Sequence, residues 1–197
     1  YKILTVTHRK TSLKEIGKFV VKHIDQDDLR TRLHNLQETL GLKELLYLST
    51  CNRTMYFFVS DDHLDVAYQH RFFQEVNTEL NIKDLEQNLQ AYEGEAALKH
   101  LYSVAASVDS LVVGEREILR QLREAYDRSL EWNMTGDDIR LAIQYAVAAA
   151  KDVYASTRIG EKPVSVVSLA IQKLLRTNPA KDSRILLIGA GQTNALV

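Results

Sequence analysis

The chain has 197 residues, with 45% hydrophobic and 26% charged residues, the balance of a globular protein with room for one large domain or for one domain and part of another. Lys+Arg 25 against Asp+Glu 26 leaves a net charge of −1, so any nucleic-acid contact must come from a local patch and not from a basic chain. A single cysteine excludes an internal disulfide and a cysteine-based zinc cluster, no apolar run has membrane-spanning length, no secretory leader is visible, and the expected compartment is the cytoplasm.

Taken in order, Lys2–Thr7 alternates apolar and polar residues and predicts a first strand. Ser12 with Glu15 three residues on is a capping-box pattern, opening a helix expected to run to about His23. Asp25 or Asp27 opens a second helix with Leu29, Leu33, Leu36 and Leu40 at helical spacing and Gly41 as its stop. Next come two apolar runs, Leu45–Leu48 and Met55–Val59, which read as short buried strands around Ser49-Thr50-Cys51-Asn52-Arg53-Thr54, with Asn-Arg as the turn or strand end. The lone cysteine therefore stands at a supported corner, with a guanidinium two residues away to favour its thiolate. Asp61–Leu80 reads as a helix with a stripe of Leu64, Ala67, Tyr68, Phe72 and Val76, and Leu89–Tyr92 as a short strand ended by Gly94. This order predicts an α+β fold, a split βαβ (ferredoxin-like) sheet with helices on one face.

From Glu95 the pattern becomes almost wholly helical. Ala96–Val108, Glu115–Trp132 and a long segment from Asp137 or Asp138 through Tyr154 each carry an apolar stripe, with Leu111–Gly114 as a link. Gly160-Glu161-Lys162-Pro163 reads as a linker, Val164–Leu175 as a shorter helix and Asn178-Pro179 as a break. The final segment, RILLIGAGQTNALV, places an apolar strand (Ile185–Ile188) before Gly189-Ala190-Gly191, the opening of a dinucleotide-binding βαβ unit of Rossmann type. Residues 1–160 are thus expected to form one domain, 161–182 a linker and helix, and 183–197 the start of a second domain belonging to a longer protein.

Five ordered stretches carry a family resemblance: Thr7-His8-Arg9-Lys10-Thr11, the motif STCNRT at 49–54, the block from His100 to Glu115 with Ile118-Leu119-Arg120-Gln121, Thr157-Arg158-Ile159-Gly160 with Val164-Ser165-Val166, and IGAG at 188–191. Together they resemble the glutamyl-tRNA reductases. The resemblance implies reduction of glutamyl-tRNA(Glu) by NADPH to glutamate-1-semialdehyde, the first committed step of tetrapyrrole synthesis from glutamate, through a thioester on Cys51. It implies His100 as a second catalytic residue, tuning the thiolate or protonating the leaving group. Thr50, Arg53, Ser110, Glu115, Gln121 and Ser165 are implied as substrate-binding residues, with Arg53 gripping a substrate carboxylate. Gly189, Ala190, Gly191, Gln192, Thr193 and Asn194 are implied to hold NADPH, and no metal is called for. Implied partners are the charged tRNA, a second copy of the full-length chain and the downstream glutamate-1-semialdehyde aminomutase.

Arg116, Arg120 and Arg123 share a helical face and are candidates for tRNA phosphates, although Arg120 and Glu124 also form an i,i+4 pair. The chain departs from the family at Met55, usually glutamate, at Ala106-Ser107, usually Ser-Gly, and at Glu117, usually glutamine. A non-catalytic tRNA-binding or regulatory relative is the alternative reading of those departures.

Overall fold

The computed structural model describes residues 1–160 and 166–178, together with residues 182, 184, 186 and 188. Its centre is a sheet of four antiparallel strands, β1 (Lys2–Thr7), β2 (Glu44–Thr50), β3 (Arg53–Val59) and β4 (Gln90–Glu93), in the order β2-β3-β1-β4. The helices are α1 (Leu13–Ile16), α2 (Gln26–Thr39), α3 (Val66–Val76), α4 (Ile82–Asn88), α5 (Gly94–Ala105), α6 (Glu117–Glu131), α7 (Asp137–Ser156) and α8 (Val166–Arg176).

Both faces of the sheet are covered, not one as the sequence led us to expect. Successive strand residues point to opposite faces. Leu4, Val6, Leu45, Tyr47, Tyr56 and Phe58 enter a core with Phe19 and the apolar stripes of α2 and α3. Their neighbours Ile3, Leu46, Leu48, Met55 and Phe57 enter a second core with α5, α6 and α7. The inward residues of that second set include Ala97, Ala105, Ala125, Ala142, Ala146 and Ala150, whose small side chains let three helices approach the sheet and each other. The helical extension foreseen after Glu95 is therefore the other cover of the same sheet.

Several expected boundaries move for identifiable reasons. Ser12 caps α1 by accepting from the Glu15 amide, but the helix tightens into a 3-10 turn at Gly17–Phe19 and is extended by Val20 (ψ 137°). Asp25 caps α2, and Gly41 ends it at φ +59°, a conformation glycine adopts without steric cost. The expected helix Asp61–Leu80 shrinks to Val66–Val76, with Asp65 as its cap. A further helix, Ile82–Asn88, follows under a reciprocal capping box between Asn81 and Asp84 that the apolar spacing did not signal.

The start of β2 is joined to the helical layer by Glu44. Its buried carboxylate accepts from the amides of Asp138 (3.1 Å) and Ile139 (2.8 Å), so a strand residue caps the N-terminus of α7. Gly136 leaves it room, since an added Cβ would lie 2.7 Å from Glu44 Oε1 and the bonded carboxylate would have to shift. Glu44→Gln is expected to lower stability by ~1–2 kcal/mol, because the amide's NH2 cannot accept and the charge that faces the helix dipole is lost. A lowered urea midpoint at unchanged m-value would register it.

Toward the C-terminus, Leu186 and Ile188 of the expected strand Ile185–Ile188 are 82% and 85% exposed and belong to no strand. The phosphate turn expected at Gly189–Asn194 and the Ser165 position lie outside the described residues, as do 161–163 of the linker.

Candidate active site

The loop between β2 and β3 consists of two residues, Cys51 and Asn52, because Thr50 pairs directly with Arg53. The turn is thus one residue earlier than Asn-Arg, and Arg53 is a strand residue. Tight two-residue hairpins favour positive φ angles, yet among the described non-glycine residues only Ser107, Asn133 and Asn178 have them. Bonds from outside the turn hold the loop instead. The His8 amide donates to Asn52 O (3.1 Å), extending the β1–β3 ladder past Thr7. Thr50 Oγ1 accepts from the Asn52 amide (3.3 Å) and faces Arg53 O at 3.4 Å. The Thr50 hydroxyl is therefore used within the hairpin. Cys51 stands exposed at its tip.

Alternation fixes where Arg53 goes. It lies on the same face of β3 as Met55 and Phe57, the face covered by α5–α7, and only 4% of it is exposed. Its guanidinium donates to Asp109 Oδ2 (2.8 Å) and to the Asp109 carbonyl, and meets His100 Nε2 at 3.3 Å. Asp109 comes from the turn after α5, and His100 from α5 itself. The same carboxylate reaches a second cation, Arg9 Nη1, at 3.1 Å. Arg9 also donates to the carbonyls of Val108 (3.4 Å) and Ser110 (3.2 Å). Two guanidinium groups thus clasp the turn at 108–110 to the sheet end that carries the cysteine.

The electrostatics follow from this packing. Burial, reinforced by the neighbouring Arg53 charge and only partly offset by Asp109, lowers the His100 pKa to about 4. The imidazole is therefore neutral at pH 7. Since Arg53 can only donate, Nε2 is the acceptor and the ring proton is assigned to Nδ1. Nδ1 is 3.9 Å from Asp109 Oδ2, beyond hydrogen-bond length. The ring stacks on Tyr92 of β4 with centroids 4.4 Å apart. Burial raises the Asp109 carboxyl, but the Arg53 charge and hydrogen bond, with smaller help from His100 and Arg9, outweigh it and hold the group below the usual carboxylate range.

A depressed histidine pKa has a definite sign in stability. The unfolded chain takes up a proton near pH 6.5 and the folded chain only near 4, so stability is full above 6.5 and falls as the pH drops through that window. His100→Gln is expected to flatten this stretch of the stability curve. Urea unfolding at stepped pH from 7 to 4, wild type against variant, would check it.

The remaining expected residues fall into place around this cluster or apart from it. Ser110 is adjacent, and its buried hydroxyl has no hydrogen-bond partner among the described residues. Glu115 stands two residues before α6 and Gln121 in its second turn; Gln121 donates to Glu117 (3.1 Å) and Tyr154 donates to Glu115 O (3.4 Å). No bond ties their side chains to Arg53. Burial and then the nearby Glu117 raise the Glu115 carboxyl above its ordinary range. Ser107 and Gly114 close the turn between α5 and α6 at φ +59° and +87°. An added Cβ at Gly114 would stand 1.9 Å from Ile159 O, so only glycine permits this approach. Of the three arginines offered to tRNA, Arg120 is paired with both Glu117 and Glu124, and Arg116 lies over the Tyr154 ring at 5.0 Å.

Asp109, Arg9 and Tyr92 were not singled out as site residues from the sequence. Arg9 and Asp109 stand inside the quoted motifs, but 100 positions separate them, and only folding brings their charges together. Met55 is fully buried and Ala106 is 3% exposed, so two of the three departures from the family pattern are core positions. Among the described residues no group of three or more His, Cys, Asp or Glu side chains is placed to hold a metal, and no helix is long and apolar enough to cross a membrane.

The family profile described as glutamyl-tRNAGlu reductase, N-terminal domain, matches residues 4–157. A glutamyl-tRNA reductase of Streptococcus sanguinis (strain SK36) is 33% identical over 193 residues, covering 98% of this chain and 46% of that protein. One from Alcanivorax borkumensis is 37% identical over 166 residues, covering 84% of this chain and 39% of that protein. Campylobacter lari has one that is 30% identical over 196 residues, 100% of this chain and 45% of its own length. The solved structure of the glutamyl-tRNA reductase from Methanopyrus kandleri superposes with a TM-score of 0.67 at 23% identity, over 89% of this chain and 39% of that one, a likeness of fold. This chain spans less than half the length of these relatives. With the match running through the sheet, the cysteine hairpin and the helices that close over it, the chain belongs to the glutamyl-tRNA reductase family, whose N-terminal domain is matched by residues 4–157.

Proposed function

We propose that this chain supplies the catalytic, glutamyl-tRNA-recognising part (residues 1–160) and the first segment of the nucleotide-binding part (from residue 183) of an NADPH-dependent glutamyl-tRNA reductase. The observation that carries the reading is the exposed Cys51 on a braced two-residue loop, two positions before the buried Arg53, whose guanidinium is paired with Asp109. The strand order, with β3 antiparallel between β1 and β2, supports a split βαβ, ferredoxin-like core.

In this reading the Cys51 thiolate attacks the carbonyl carbon of glutamate esterified to tRNA. A C–S bond forms, the C–O bond to the ribose breaks, and the departing ribose oxygen takes a proton from water, so that the tRNA leaves with its hydroxyl restored. The thioester is active enough to be reduced, so one difficult step becomes two easier ones. Arg53 provides the positive charge for the glutamyl carboxylate. His100, neutral at pH 7, acts by holding Arg53 and has no second proton to give a leaving group at that pH. NADPH supplies the hydride when bound; its implied contacts Gly189–Asn194 lie outside the described residues. The setting is tetrapyrrole synthesis in the cytoplasm, by a full-length homodimer that hands its product to the aminomutase. Met55 and Ala106, as packing residues, carry no argument for the non-catalytic alternative.

The test is covalent trapping. Incubation with tRNA bearing radiolabelled glutamate is expected to leave label on the wild-type chain, at the peptide containing Cys51, and none on Cys51→Ser. No label on the wild type would reject the reading in favour of a binding-only relative.

A further inference from the structure

Resting on the function just proposed, the inference concerns a residue to which that reading gives no role. Among the described residues, Asp109 is the one carboxylate that touches both guanidinium groups at the cysteine end of the sheet, Arg53 at 2.8 Å and Arg9 at 3.1 Å. The two cations differ in situation. The Arg53 side chain is 5% exposed, whereas Arg9 is about half exposed at 48%. Both belong to the sheet end that carries the Cys51 loop: Arg53 is two residues past Cys51, and Arg9 follows His8, whose amide is bonded to the other loop residue, Asn52. Without a shared anion two guanidinium groups this near would repel each other, and the buried one would stand uncompensated. With Asp109 between them the bonded cluster holds two cations and one anion, a surplus of one positive charge.

We propose that Asp109 is a positioning residue for the acyl group: it yokes Arg53 and Arg9 beside the Cys51 loop into a site with one uncompensated positive charge, fitted to an acyl side chain bearing a single carboxylate. A glutamyl side chain neutralises that surplus. A glutaminyl side chain of nearly the same shape leaves it in place, and a site built around a charge rejects the neutral isostere strongly. Donor counting agrees. Arg53 has five N–H groups, and Asp109 and His100 take three of them, which fixes the plane of the fork while leaving donors for a ligand. The carbonyl of Asp109 helps in this, since it accepts from the same Arg53 nitrogen as the carboxylate. Through its bonds to the Val108 and Ser110 carbonyls, Arg9 keeps the turn that carries Asp109 in place. The arrangement is therefore mutually fixed, and removing the anion releases both cations.

The experiment uses the full-length protein and one tRNA charged with labelled glutamate or, by misacylation, with labelled glutamine. In Asp109→Asn, KM for the glutamyl ester is expected to rise at least tenfold with a smaller change in kcat, and the preference for glutamyl over glutaminyl ester in adduct formation to fall at least tenfold. Asp109→Glu is expected to recover most of that preference, which loss of fold would not allow. Alkylation of Cys51 by iodoacetamide should still go to completion in both variants, showing that the thiol remains reachable. A preference in Asp109→Asn that falls less than tenfold, or an Asp109→Glu variant as impaired as Asp109→Asn, would overturn the inference alone. A wild-type protein that is alkylated at Cys51 but forms no glutamyl adduct would overturn the function and the inference together.

Discussion

Cys51→Ser is expected to reduce hydrolysis of glutamyl-tRNA by this 197-residue chain at least ~10³-fold, the scale on which removing a covalent nucleophile acts. The chain retains the thiol, so it should form the acyl-enzyme and release glutamate slowly to water, as an esterase. Serine has the same shape, but its hydroxyl ionises far less readily than a thiol. The substitution should leave stability within ~0.5 kcal/mol, because Cys51 is exposed at a loop tip and packs against no core. Equal ester hydrolysis by the two chains, measured as release of labelled glutamate above the uncatalysed rate, would reject Cys51 as the nucleophile.

Arg53→Met is expected to cost ~3–5 kcal/mol of folding stability, the range for breaking a buried ion pair by removing one partner. Methionine fills much of the space but leaves Asp109 without its buried partner and His100 Nε2 without a donor. Arg9 remains, and Asp109 is 21% exposed, so the loss should fall toward the lower end. The pH dependence identifies the cause. Asp109 is held below its ordinary carboxyl value of 3.8 in the folded chain, so its contribution is present above that value and is lost as pH falls through the lower, folded one. In Arg53→Met that contribution should already be missing at neutral pH, and the acid limb attributable to Asp109 should shrink. Chemical denaturation at pH 7 and near pH 3 would measure both. A variant as stable as wild type would show that the clasp at 108–110 is not held by this pair.

For the proposed reaction the two effects are linked. Substitution of the nucleophile removes chemistry and spares the fold, whereas substitution of the buried guanidinium removes the support under the loop that presents the nucleophile. The difference follows from the alternation of β3 and its loop: position 51 is in the turn and faces solvent, and position 53 is in the strand and faces α5.

Much of this was legible in the sequence because it is local. The apolar alternation of Lys2–Thr7, the leucine spacing of α2 ended by Gly41, and the run from Asp137 through α7 each report a backbone state through near neighbours. The cysteine hairpin was equally local, as were the family motifs. What sequence could not supply was which face each element would cover. Strands buried on both sides show continuous apolar character, and that pattern does not say that α5–α7 return across the sheet to form a second core. Nor could it pair Arg9 and Arg53 with Asp109, or Glu44 with the start of α7, since a charge carries no mark of the partner it will meet 56, 94 or 100 positions away. The chain by itself thus determined its strands and longer helices, its thiol and its family. Tertiary structure alone decided that the arginine beside the thiol would be buried and shared, because burial of a cation requires an anion and only the closed fold brings one to it.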